Sequence, residues 1–213
     1  MTTSLILISL LVGYLLGTLP TAYWAVKLFT GKDIRATGSG NVGAMNSFAV
    51  TGSKWAGILV FVVDALKGLA AVLAVRLIAP DDDFRIWYEW IAVLGAILGH
   101  NFNLWLSISS RKLVGGKGLA TACGGLAIIW PITIAFWGML FVVGFFGYKL
   151  WRGRSTIIPG NVLATLLVAI PTYFVYGTVG LIGVGAFALA ILPKHWDQMR
   201  DLLSPAAERI PTR

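Results

Sequence analysis

Charge is scarce in this sequence: Asp, Glu, Lys and Arg together make up 12% of its 213 residues, against 57% hydrophobic residues and a mean hydropathy of +0.81. A soluble domain does not have that composition, so the chain reads as an all-α, polytopic membrane protein. Cysteine is nearly absent. The single residue, Cys123, excludes an intramolecular disulfide framework and sits in an apolar run, where it is expected to pack against other helices. Two histidines and one cysteine make no metal-ligating set, and neither a metal nor a cofactor is expected. There is no Ser-His-Asp or Cys-His nucleophile set, and no His-x-x-x-x-Asp motif, because Trp105 follows His100 and Arg200 follows His195 at the fifth position. Acidic residues are rarer still than basic ones, 9 against 17, for a net charge of +8. In a membrane protein that excess marks cytoplasmic loops rather than a nucleic-acid surface.

Long apolar runs are what the chain does have. The first extends from Ser4 to Phe29, with Pro20 predicted to kink it, and without a basic leader or cleavage site it is expected to be a retained span. A second run, Trp55 to Ala79, ends at Pro80 and the acidic Asp81, Asp82 and Asp83. A third, Ile86 to Ile108, opens on Trp87, Tyr88 and Trp90, which read as an aromatic belt. The runs Gly118–Tyr148 and Ile157–Pro193 each carry basic residues at both ends. Each is therefore predicted to be a hairpin, turning near Trp130–Pro131, with two short helices below average bilayer thickness, and near Tyr176–Gly177. The total is about seven spanning helices in one domain over residues 1–213. With the N-terminus outside, Lys27, Lys32, Arg35, Lys54, Arg111, Lys112, Lys117, Lys149, Arg152, Arg154, Lys194, Arg200, Arg209 and Arg213 fall on the cytoplasmic side. Only Arg76 and Arg85 lie near the other. The C-terminus is then cytoplasmic, and the expected location is the inner membrane, crossed several times.

Between the first two runs lies GSGNVGAMN, residues 38–46, a stretch a lipid-facing segment has no use for. Gly38, Gly40 and Gly43 let backbone N–H groups approach an anion, and Ser39, Asn41 and Asn46 add short side-chain donors. A second glycine motif, Gly115-Gly116-Lys117-Gly118, stands at the mouth of the next predicted helix and combines close backbone approach, a point charge and a helix N-terminus. Both suit phosphate. The first also suits a plain inter-span loop, and Lys117 also suits a membrane-face anchor. Neither is a Walker A loop, which needs a spaced preceding glycine in a soluble strand–helix context. Asp64 and Lys67, three apart inside the second run, are expected to pair, since an unpaired charge there costs on the order of 3 kcal/mol. His100 reads as a general base or as a buried histidine hydrogen-bonded to another helix, and its apolar neighbours favour packing. His195, just past the last run, is placed to order an acceptor hydroxyl or take its proton.

These stretches carry a resemblance. Residues 14–46 (YLLGTLPTAYWAVKLFTGKDIRATGSGNVGAMN), WAGILVFVVDALKG from Trp55, GHNF from Gly99, GGKGLAT from Gly115 and KHWDQMRDLL from Lys194 resemble the PlsY family, bacterial membrane glycerol-3-phosphate acyltransferases that use acyl phosphate as donor. The resemblance runs nearly the length of the chain. It implies acyl phosphate, glycerol-3-phosphate and the bilayer as partners, no nucleic acid, and 1-acyl-glycerol-3-phosphate as product for phospholipid synthesis. It also implies catalytic roles for Ser39, Asn41 and His195 in polarising the acyl carbonyl and handling the hydroxyl, and substrate binding by the glycines, Asn46, Lys117 and Gln198. The chain departs from the family in four places. Ala49 stands where the family has an arginine, Asn103 replaces the proline of GHxFP, extra residues SISSR precede the second motif, and only Arg154–Ser155 remains of a Arg-Tyr-x-Ser-x-x-Ser segment. Two other readings follow: a related acyltransferase with another acceptor, or a non-enzymatic lipid-binding or transport protein.

Overall fold

The computed structural model describes residues 2–203, and among them every regular element is helical. The helices are α1 Thr3–Gly17, α2 Thr21–Thr30, α3 Ala44–Thr51, α4 Lys54–Arg76, α5 Arg85–Asn101, α6 Leu104–Ser110, α7 Leu119–Ile129, α8 Pro131–Arg152, α9 Ile158–Leu167, α10 Ala169–Ile191 and α11 Trp196–Leu203. Arg209 and Arg213 lie outside the described residues. The chain divides into two compact units, residues 1–134 and 135–213. Large apolar side chains point outward along the helices, Leu28, Leu77 and Phe174 among them, as expected where lipid is the solvent.

Lipid removes the hydrophobic reward for helix association, so the first unit is held by close backbone contact. Helices α1 and α5 run parallel: Gly13 and Gly17 lie on Ala92 and Ala96, while Gly95 and Gly99 lie on Leu10 and Tyr14. A Cβ at any of the four would overlap the facing backbone. Gly124 of α7 and Gly68 of α4 repeat the device against Ala65 and Thr121. Helix α4 is antiparallel to α5, with Arg76 on Glu89 at 2.8 Å near one end and Asp64 beside His100 near the other.

The first run breaks at Thr18–Pro20, as Pro20 predicts, because proline has no N–H for the ladder. The carbonyls this frees are taken by distant side chains. Asn103 Nδ2 donates to the Thr18 carbonyl at 2.7 Å and Lys67 Nζ to the Leu19 carbonyl at 2.6 Å. Lys67 also pairs with Asp64 at 2.6 Å, i to i+3 on α4, with both side chains buried. The third run also breaks, at Phe102–Asn103, while Arg85–Ser110 as a whole remains one stretch long and apolar enough to cross a membrane. Asn103 caps α6 by accepting from the Leu106 N–H at 3.1 Å, so the asparagine in place of proline serves both helices. The aromatic belt is a correction: Tyr88 and Trp90 are buried, and the Tyr88 hydroxyl accepts from the Thr2 N–H at 3.0 Å.

In the second unit α8 and α9 pack antiparallel, with Gly144 on Gly160 and Trp137 Nε1 donating to Thr165 Oγ1 at 3.2 Å. Gly177 is non-helical, at φ 65° and ψ −155°, and the chain turns back there. Thr172 and Gly180 touch across the turn, whereas eight helical residues would separate them by about 12 Å. Helix α7 does stop at Trp130, but the pair of short helices expected around it is corrected. Only α7 is short, at 11 residues, while the 22 residues of α8 span about 33 Å. Among the described residues, five stretches are long and apolar enough to cross a membrane: Thr3–Thr30, Lys54–Arg76, Arg85–Ser110, Pro131–Arg152 and Ile158–Arg200, the last containing the Gly177 turn.

Candidate active site

The first glycine loop is anchored at its start by an ion pair. Asp33 accepts from the Arg35 backbone N–H at 2.9 Å and from its guanidinium at 2.6 Å, and Arg35 also donates to Ser109 Oγ at 2.7 Å and lies over the Tyr23 ring. That hydrogen bonding holds the Asp33 carboxyl below its usual range and raises the Arg35 guanidinium further. Arg35 is thus committed to tying the loop to α6.

Beyond it the backbone turns twice through positive φ, +60° at Gly38 and +70° at Gly40, which L side chains resist. Gly43 is extended at φ −166° and needs no glycine on that ground. Asn46 organises the turn from inside. Its Oδ1 accepts from the Ser39 N–H at 2.9 Å, and its Nδ2 donates to the carbonyls of Thr37 at 3.1 Å and Asn41 at 2.9 Å. This corrects the expectation that Asn46 offers a donor to substrate, since its amide is used up within the loop. The backbone donors are also engaged: Gly40 to the Thr37 carbonyl at 3.1 Å, and Val42 to the Gly115 carbonyl at 3.2 Å. What the loop presents outward is the exposed Ser39, the half-buried Asn41, and the first turn of α3, whose N–H groups have no intrahelical acceptor.

The Val42–Gly115 bond links the two glycine motifs, which are far apart in sequence. The second motif is shaped by packing. A Cβ on Gly115 would overlap the backbone of His100 and Asn101, one on Gly116 would overlap the His100 ring and the Val42 carbonyl, and Gly118 sits at φ +78°. Lys117 is half-buried, and burial pushes its ammonium down to about 8. Ala49 is exposed on α3 and Lys54 is exposed at the start of α4.

His195 and Gln198 belong to the second unit. His195 is buried, with Nδ1 3.2 Å from the Ile191 carbonyl, and Gln198 is half-buried on α11. A carbonyl only accepts, so the proton sits on Nδ1 and Nε2 is the basic nitrogen of the neutral ring. Sequence reasoning missed Glu89, Asn103 and the role of Arg35. The signal for Asn103 was its residue type, an N-cap asparagine directly before Leu104 inside the apolar run. No group of three or more His, Cys, Asp or Glu able to hold a metal occurs among the described residues.

Residues 7–205 match the family model described as glycerol-3-phosphate acyltransferase. The chain is 31% identical over 203 residues to the glycerol-3-phosphate acyltransferase of Syntrophotalea carbinolica, covering 95% of this chain and 96% of that protein. It is 42% identical over 135 residues to the enzyme of the same name from a Synechococcus strain, covering 62% of this chain and 61% of that one. Its fold is similar to the crystal structure of PlsY (YgiH), an integral membrane glycerol 3-phosphate acyltransferase, in its glycerol 3-phosphate form. The TM-score is 0.75 with 28% identity, covering 93% of this chain and 92% of that one.

Proposed function

The chain belongs to the glycerol-3-phosphate acyltransferase family, and from that premise we infer that it transfers an acyl group to the primary hydroxyl of glycerol-3-phosphate in phospholipid synthesis, with acyl phosphate as the donor. The hydroxyl oxygen attacks the acyl carbonyl carbon, the carbonyl–phosphate C–O bond breaks, and inorganic phosphate leaves with 1-acyl-glycerol-3-phosphate as product. The observation that supports this reading is the Val42–Gly115 hydrogen bond, 3.2 Å, which ties the loop that carries Ser39 and Asn41 to the loop that carries Lys117. On this reading Lys117 holds phosphate charge, and the Ser39 hydroxyl and Asn41 amide bind the second phosphate and polarise the carbonyl. The first turn of α3 adds N–H donors and its positive dipole end. For His195 the proposed part is to position the hydroxyl or take its proton at Nε2, on the chemistry of the ring alone; Gln198 is assigned to substrate binding with it. The whole chain is proposed to act as one domain of about seven spans, N-terminus outside, in the inner membrane. The parallel α1 and α5 and the turn at Gly177 support that count.

The test is purified protein with palmitoyl phosphate and a panel of polyol phosphates, with products read by mass spectrometry. Acyl-glycerol-3-phosphate with matching phosphate release is expected. Phosphate release without acyl transfer, or transfer to another polyol alone, would overturn the assignment.

A further inference from the structure

A line of buried contacts runs from the break in the first helix to Gly116, the residue before Lys117. Lys67 Nζ donates to the Leu19 carbonyl at 2.6 Å and pairs with Asp64 Oδ1 at 2.6 Å. The same carboxylate oxygen lies 3.7 Å from His100 Nδ1. That is too long for a hydrogen bond, but the negative charge favours the proton on Nδ1 and so orients the ring. His100 stands in the last turn of α5, where a carbonyl has lost its helical partner, and its carbonyl accepts the Gly116 N–H at 3.0 Å. The opposite edge of the ring, at Nε2, packs so closely on Gly116 that no Cβ fits there. One residue therefore holds the second glycine motif by its backbone and by its ring, and the neighbouring residue of that motif is Lys117.

Helix packing alone does not call for this arrangement. Asp64, Lys67 and His100 are 2%, 4% and 8% exposed, and apolar residues would close α4 on α5 without the desolvation that buried charges incur. We propose that His100 is a positioning residue for Lys117: it fixes the Gly115–Lys117 segment, and the Asp64–Lys67 pair fixes His100. The inference rests on the reading of Lys117 as the holder of phosphate. His100 itself contacts no reacting atom.

The experiment compares His100→Leu, His100→Gln, Lys117→Ala and the double variant His100→Leu/Lys117→Ala in the full-length purified protein. Kinetics and hydrogen exchange are both measured. His100→Leu should raise KM for glycerol-3-phosphate about tenfold, equivalent to about 1.4 kcal/mol, with kcat and the donor KM within about twofold. Exchange should accelerate across residues 111–118 and not in α5 or α7. His100→Gln, which keeps a polar group toward Asp64, should recover most of the loss. Because His100 acts through Lys117, the double variant should be no worse than Lys117→Ala. Additive losses in that cycle overturn the proposal. So does unchanged exchange over 111–118 in His100→Leu, whatever the activity, and so does failure of both His100 variants to fold, which would make the ring a folding element. Wild-type kinetics in Lys117→Ala with accelerated loop exchange in His100→Leu would instead remove the phosphate reading while leaving the hold of His100 on the loop in place.

Discussion

The two glycine motifs look alike in sequence and differ in what the glycines are for. In residues 38–43 the backbone itself needs them, at Gly38 and Gly40, where φ is positive, and a single buried side chain, Asn46, closes the turn. In residues 115–116 the need comes from neighbours, because the backbone lies directly on His100, Asn101 and Val42. A glycine count reports neither reason. The first loop is a self-contained turn that presents Ser39 and Asn41. The second is a strap pressed onto the end of α5 that presents Lys117.

The largest effect that would sharpen this contrast is expected from Gly116→Ala. Its methyl group would overlap the His100 ring and the Val42 carbonyl, and overpacking of this kind costs about 3 kcal/mol. Acyl transfer should fall more than about a hundredfold, with a clear drop in Tm; near-wild-type activity would break the distinction between the motifs.

Lys117→Ala comes next. It should reduce kcat/KM by about a hundredfold with Tm little changed, and wild-type kinetics would return the lysine to membrane anchoring. Its pH dependence is a separate check. The ammonium is the form that holds phosphate, so with the group at about 8, kcat/KM should fall as the pH rises through that value. Lys117→Arg should remove the fall up to about pH 10.

Asn46→Ala probes the other motif. It leaves the Thr37 and Asn41 carbonyls and the Ser39 N–H without their partner. At about 1–3 kcal/mol for such groups, KM should rise by about thirtyfold, and Asn46→Asp, which lacks the two N–H donors, should not rescue it. An unaffected KM would show that the loop holds its shape without the asparagine.

Ala49→Arg is the one expected gain. The residue is exposed on α3 beside the first loop, and Arg35 is committed to Asp33 and Ser109. If nothing else supplies the charge, a guanidinium there should lower KM for glycerol-3-phosphate by up to about tenfold. No gain would point to Lys54 or Arg154 as the existing substitute. The smallest effect is expected from Gly43→Ala, since that backbone is extended and the nearest atom to a new Cβ is Asn41 Nδ2 at 3.1 Å. Activity should stay within about twofold, and a loss as large as that of Gly116→Ala would erase the comparison.

The helical runs were legible because lipid imposes a composition that water does not. The breaks were legible only where a residue forces them. Pro20 announces the first and Gly177 the turn in the last run, but Phe102–Asn103 sits in an apolar run with no proline, and it is a cap on α6 and a bond to Thr18 that make it a break. The aromatic belt was misread because Tyr88 has a partner at Thr2, which no local pattern shows. Among the proposed site residues, Ser39, Asn41 and Lys117 are the ones that residue type and sequence neighbours single out.

The sequence by itself determined that this is a helical membrane protein, where the apolar runs lie, and where two glycine-rich polar segments interrupt them. Those properties follow from transfer energies and backbone chemistry, which are local. Tertiary structure decided which groups in those segments are already occupied: Asn46 by its own loop, Arg35 by Asp33, the Val42 N–H by Gly115, and Gly116 by His100. A hydrogen-bond donor is available to a substrate only when nothing in the fold has taken it, and the takers here come from distant parts of the chain.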